Sequence, residues 1–403
     1  MIGELNKNSF TLPPVIMTFE PRSFAYSSFA VRHPRLLDDV IAWNDYAPEI
    51  VARLSALREE ILHGVIHPVV EDVFDRDFWN DSAHEHLGRS WLDVPWYWAE
   101  AYFWRRILEA VCYFQPGELH RRDPYARQKL VELAPTAAPR ALVTFVRQVP
   151  RDPARAFGSY LHASLWGNRT DLSYVQIRTD PQSDLALEHE RANILVDDTV
   201  RVWDAVRRKV GQARIDFICD NTAPELLFDL ALADWLLSSG LAGRVIFHTK
   251  PQPFFVSDTM NPDVHAAIDA LARSAEPELQ ALAGRLRLAG GEARFQLIDH
   301  PFWVTGSFFH AMPEDLCALL ARSDLVISKG DANYRRLIGD CHWDPTTPFD
   351  AAVAYFPANV VALRTLKAEV IVGLATGQAE RLEAEDPAWR INGKRGVIQF
   401  LEK

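Results

Sequence analysis

From Ile194 onward, short apolar runs alternate with segments of helical periodicity, and this alternation restricts the possible folds more than any other feature of the chain. Strands are expected at Ile194–Val196, Ile215–Cys219, Arg244–His248, Ala293–Ile298, Asp324–Ser328, Val360–Leu366, Val370–Leu374 and Val397–Leu401. Between them, helical spacing runs from Pro224 to Ser239, continues as one long stretch over Asn261–Leu288, and returns over Pro313–Arg322. Strands alternating with helices predict an α/β fold, here a mostly parallel, Rossmann-like sheet with helices on both faces.

Ala213–Leu226 (ARIDFICDNTAPEL) shows the unit at its clearest. Ile215, Phe217, Ile218 and Cys219 form a run suited to a strand buried on both faces, which stops at Asp220-Asn221. Pro224 then fits a first helical turn, where a missing N–H is tolerated, and Glu225 sits where the helix dipole favours an acid. The carboxyl ends of parallel strands are where ligands bind, so this polar pair aims oxygen donors at a crevice. Oxygen donors suit a hard divalent cation. The competing reading is a helix cap at Asn221 or Thr222, with Asp220 satisfying backbone donors.

Before about residue 175 the pattern is helical. Apolar residues recur at spacings of three and four through Arg35–His63, and Trp91–Phe114 reads beyond Pro95 as a buried, aromatic helix. Residues 1–40 are rich in proline and aromatics and read as an irregular arm that packs on the body. The expected organisation is an arm and helical domain over residues 1–180, followed by an α/β metal- and phosphate-binding domain over 181–403. A net charge of −11 disfavours nucleic acid or an anionic membrane as partner. The scattered Cys112, Cys219, Cys317 and Cys341 have no CxxC spacing, and no apolar run reaches the ~18 residues of a membrane span. A cytoplasmic protein is expected; the oligomeric state is left open.

Four polar clusters lie at or just after expected strand ends: Asp220-Asn221; Thr249-Lys250 with Ser257-Asp258; Ser328–Arg335 (SKGDANYR); and Arg364–Lys367 (RTLK). In a parallel sheet all four converge on one edge. Asp220, Asn221 and Asp258 are candidate ligands of Mg²⁺ or Mn²⁺, while Lys329, Arg364 and Lys367 supply positive charge, with Lys250 a further candidate phosphate-binding cation; Gly330 permits close backbone approach, and Asp331, or else Asp258 or Asp220, is a candidate for orienting or deprotonating water. A cation with open positions beside lysine and arginine is what phosphoryl transfer requires. The plainer readings are a capped loop at Asp331, solvated charges at Arg364 and Lys367, and a structural ion pair at Lys250. His248 and His300 read as core groups rather than ligands.

These residues resemble the DUF89, or damage-control phosphatase, family, in the subfamily with an Arg-Thr-x-Lys motif, here Arg364-Thr365-Leu366-Lys367. The resemblance also rests on SLWGNRTDLS (Ser164–Ser173), DFICDNTAPELLFDLALADWLL (Asp216–Leu237), VIFHTKPQPFFVSD (Val245–Asp258) and SKGDANYR. It departs at Thr222-Ala223-Pro224, where the family usually has Gly after Asn-Ala. It implies a metal-dependent phosphatase of small phosphorylated metabolites, such as fructose 1-phosphate or fructose 6-phosphate, with Mg²⁺, Mn²⁺, Co²⁺ or Ni²⁺ as cofactor. Asp220, Asn221 and Asp258 match the metal ligands and Lys367 a substrate contact. Lys329, Asp331 and Asn333 fall beside the site, and Asn168 and Asp171 are brought to its rim. The alternatives are an S-adenosylmethionine-dependent carboxyl methyltransferase, disfavoured by the lack of a glycine-rich turn after the first strand, and a non-catalytic sugar-phosphate-binding protein. A haloacid-dehalogenase-type nucleophile is disfavoured because Asp216 and Asp220 stand four apart, not two.

Overall fold

A seven-stranded sheet forms the centre of the molecule, which we describe from a computed structural model over residues 12–133, 137–167, 193–222 and 224–403. The strands are β1 (Ile194–Asp197), β2 (Ala213–Ile218), β3 (Ala242–Thr249), β4 (Phe295–Asp299), β5 (Leu325–Lys329), β6 (Val360–Thr365) and β7 (Gly396–Leu401). Their spatial order is β1-β7-β6-β5-β2-β3-β4. The five strands from β6 to β4 are parallel, and β7 joins β6 antiparallel with β1 parallel to it at the edge. The α/β expectation therefore holds.

The chain moves outward from β2 to β3 and β4, then returns to lay β5 against the other side of β2. The reversal opens a crevice between the carboxyl ends of β2 and β5, the position where open α/β sheets bind ligands. The Val370–Leu374 stretch is buried but forms no strand, so only one strand precedes β7 in this region. The long helical stretch after β3 is two helices, Asn261–Ala272 and Pro277–Gly291, because Pro277 occupies a first-turn position and restarts the helix.

Each sheet face has its own core. One packs Ile218, Val326, Val360 and Val397 against the aromatic helix Trp96–Ala110 and the helices His33–Trp43 and Pro48–His63. The other packs Ile215, Phe217, Val245 and Ile327 against Pro224–Ser238 and the helices Ala137–Gln148 and Pro153–Trp166. Segments from the first 180 residues thus cover both faces, so the expected boundary near residue 180 does not separate two cores. The arm beyond Phe24 is helical rather than irregular: a turn of α-helix at Phe24–Ser27 and a π-helical turn at Ser28–Arg32 lead into His33–Trp43. Among the described residues, no helix is long and apolar enough to cross a membrane.

Candidate active site

Strand β2 ends into Asp220-Asn221, and the loop after β3 folds back so that Asn221 and Asp258 pair in an antiparallel bridge. Backbone bonds lock the two loops together: Thr259 N–H donates to Asp220 O (2.8 Å) and Thr222 N–H to Ser257 O (2.7 Å). To make this turn the chain takes positive φ at Phe255 (46°) and Val256 (60°), a costly conformation for bulky and β-branched residues. Phe255 is held there against Trp104, ring centroids 5.4 Å apart. Lys129 reaches in from the helix Ala126–Leu133 to donate to Asp258 O (3.2 Å), while pairing with Asp123 (3.0 Å) and Asp263 (2.9 Å).

On the other side of the crevice, Gly330 follows β5 with φ of +82°, and a Cβ placed there would lie 1.9 Å from Asp220 Oδ2. Only glycine lets the chain pass the carboxylate this closely. Asp331 accepts at Oδ1 from Arg364 Nε (2.7 Å) and from the Lys367 backbone N–H (3.1 Å), which ties β6 to the start of the next helix.

Asp220, Asn221, Asp258, Asp331 and Lys367 all line one cavity of about 510 Å³. Burial, then the neighbouring Glu225 and Asp258 carboxylates, push the Asp220 carboxyl well above the usual range. Burial raises Asp258 to about 6 despite Lys250 beside it. Among the described residues no hydrogen-bond donor meets Asp258 Oδ2, and its ion-pair partner is the Lys250 ammonium at 3.3 Å. Asn221 turns Nδ2 to Asp220 Oδ2 (2.6 Å) and Glu225 Oε2 (3.1 Å), while its Oδ1 accepts from Ser257 Oγ (2.6 Å). No three His, Cys, Asp or Glu side chains among the described residues form a metal-holding group. The donor set at the crevice is instead two carboxylates and an amide. Turning the amide over presents Oδ1 beside Asp220 and preserves the Ser257 bond, since a hydroxyl accepts as well as donates. Crowded, buried acids short of donors fit a hard dication.

Three expected phosphate-binding cations are placed differently. Lys329 is buried among Ser164 O (2.6 Å), Glu225 (3.1 Å) and Asp229 (3.0 Å) rather than facing the cavity. Arg364 is fully buried, stacked on Tyr334, with donors on Asp331, Val370 O and Ala368 O. Lys250 donates to Cys219 O (3.1 Å) and pairs with Asp258. In each case a buried cation must be paired, and neighbouring carbonyls and carboxylates outcompete a ligand. Asn333 donates to Cys219 O (3.1 Å) and Lys329 O (2.9 Å), fastening the ends of β2 and β5. Asn168 and Asp171 lie outside the described residues.

The sequence reading missed the contribution of the arm: Phe24, Arg32, His33 and Arg35 also line the cavity. Their charge density next to a helical pattern was visible, but which sheet edge the arm crosses depends on the fold. Also missed were Glu225 and Asp229, one turn apart on the helix after β2, which hold Lys329.

A model of the "Damage-control phosphatase ARMT1-like domain" matches residues 30–382. Curated relatives named "Damage-control phosphatase ARMT1" are 34% identical in Danio rerio (96% of this chain, 97% of the relative), 33% in Bos taurus (94% and 96%) and 32% in Homo sapiens (94% and 96%). A solved DUF89 family protein from Pyrococcus horikoshii aligns over 93% of this chain and 96% of its own, with a TM-score of 0.48 and 14% identity. A domain match over most of the length, with a third of positions shared end to end, makes this chain a member of the damage-control phosphatase ARMT1-like family.

Proposed function

We propose that the chain is a divalent-metal-dependent phosphomonoesterase of small phosphorylated metabolites, sugar phosphates of the fructose 1-phosphate or fructose 6-phosphate type among them. Its relatives carry the name damage-control phosphatase. The observation that carries the metal-dependent reading is the crowding of Asp220, Asn221 and Asp258 after the ends of β2 and β3, in the same cavity as Asp331 and Lys367. A volume of about 510 Å³ suits a small metabolite rather than a polymer.

Asp220, Asn221 and Asp258 would hold Mg²⁺, Mn²⁺, Co²⁺ or Ni²⁺. When bound, such an ion supplies Lewis-acid neutralisation of phosphoryl charge and makes water a stronger nucleophile near neutral pH. The remaining work falls to the chain. Lys367 neutralises phosphoryl oxygens as charge shifts to the leaving group. Asp331, held at Oδ1 by Arg364 and by the Lys367 N–H, keeps Oδ2 to orient the attacking water and take its proton. Trp96, Trp104 and Phe255 wall the cavity and exclude bulk water, which strengthens these charge interactions. Lys329, Arg364 and Lys250 act indirectly, by fixing the strand tips.

The test is release of inorganic phosphate from p-nitrophenyl phosphate, fructose 1-phosphate and fructose 6-phosphate, with and without each ion. Turnover that appears with metal and disappears with chelator is expected. Absence of metal-dependent turnover on all three would overturn the proposal.

A further inference from the structure

Once Lys329, Arg364 and Lys250 are committed to protein partners, the cavity's positive charge must come from elsewhere. Among the described residues four cations line it: Arg32, Arg35, Arg335 and Lys367. Arg335 is spent, paired with Glu100 (2.6 Å) and Asp340 (2.8 Å) and stacked on Trp96 at 3.6 Å. Arg32, Arg35 and Lys367 are exposed and make no ion pair among the described residues. Asp39, one turn beyond Arg35, also lines the cavity without pairing with either arginine.

The arm is built to hold Arg32 in place. The π-helical turn Ser28–Arg32 widens the helix just before His33, and such turns recur at functional sites. His33 Nδ1–H donates to Ser28 O (2.7 Å), and its ring packs on Phe29 (4.5 Å) and Phe103 (4.4 Å), anchoring the turn in the aromatic core. Burial holds the imidazole neutral, with a pKa of about 3. Next to this anchor the Arg32 guanidinium lies over the Phe24 ring, 4.8 Å from its centroid, and its N–H groups make no hydrogen bond among the described residues. A planar fork seated on an aromatic face matches the oxygens of a tetrahedral oxyanion.

We infer that Arg32, supported by Arg35, forms an anion subsite that grips the substrate's phosphoryl group from the arm's side of the cavity. This rests on the phosphatase reading and makes the arm part of the substrate site.

The test uses inorganic phosphate as probe, titrated by calorimetry into the full-length Mn²⁺-loaded protein and its Arg32→Ala, Arg32→Lys and Arg32→Ala/Arg35→Ala variants, with near-UV circular dichroism as a check on folding. Arg32→Ala is expected to weaken phosphate binding about 10-fold or more, with Arg32→Lys in between because it keeps the charge and loses the fork. KM for p-nitrophenyl phosphate should rise in parallel while kcat changes far less, a split that a purely structural role would not produce. Arginine-dependent phosphate binding without turnover would uphold the subsite and overturn the phosphatase reading. Turnover with phosphate binding indifferent to both arginines, or no phosphate binding at all, would overturn the subsite.

Discussion

Lys329 and Lys367 both read as phosphate ligands in the sequence, yet they stand in opposite situations. Lys329 is buried and neutralises Glu225 and Asp229, whereas Lys367 faces the cavity with its ammonium uncommitted among the described residues. Lys329→Met should therefore destabilise the fold by about 3–5 kcal/mol, because it strands two buried carboxylates. Lys367→Ala should leave the melting temperature nearly unchanged and lower kcat/KM for p-nitrophenyl phosphate, with part of the loss in kcat. Thermal melts and steady-state kinetics on both variants separate the roles. Gly330→Ala should abolish metal-dependent turnover, because the new methyl collides with the Asp220 carboxylate at a position of positive φ; phosphate release measures this. His33 gives a pH signature. Its folded pKa of about 3 lies below the ordinary 6.5, so below pH 6.5 the unfolded chain takes up a proton that the folded one refuses. Stability should then fall by up to about 1.4 kcal/mol per pH unit on acidification toward pH 3. Denaturant melts of His33→Phe between pH 7 and 4 should show a shallower decline than the parent.

At the scale of elements, the strand-to-helix transitions at β2 and β5 were legible because their punctuation is local: an apolar run, a polar pair, a proline or glycine, and a helix. Asp220, Asn221 and Asp331 could be brought to one edge on that basis, and Lys367 by the end of the apolar run that forms β6. What remained hidden depends on contacts between distant segments. Nothing local distinguishes Lys329, met by acids four residues apart on another helix, from a lysine that faces solvent. Arg364 reads as a strand-end charge until β6 is seen to bury it above Tyr334. The Val370–Leu374 run is strand-like in composition but satisfies burial without pairing, and the π-helical turn at Ser28–Arg32 has no composition signature. Lys129 bridges two such distant segments. Lys129→Met removes the donor on Asp258 O and leaves Asp123 and Asp263 unpaired. It should lower the melting temperature and weaken Mn²⁺ binding, both measurable on the purified variant.

Across the whole molecule, the two cores share one sheet. Helices from the first 180 residues contribute to both, so neither the sheet nor the helical region retains its apolar contacts without the other. Calorimetry is expected to show a single cooperative unfolding transition; two separated transitions would mean that the helical region folds by itself. The arm belongs to the core shared by the aromatic helix and one sheet face, which places its arginines at the cavity by the same packing that buries Phe29 and His33. The Asn221–Asp258 bridge carries a further consequence. Because main-chain bonds stitch the two loops to each other, Asp220, Asn221 and Asp258 are brought together as the polypeptide folds, so the ion of the proposed reaction would enter a site already assembled. Stripping the protein with chelator should leave the architecture standing, and replenishment should restore turnover at the pace of diffusion, without a refolding lag.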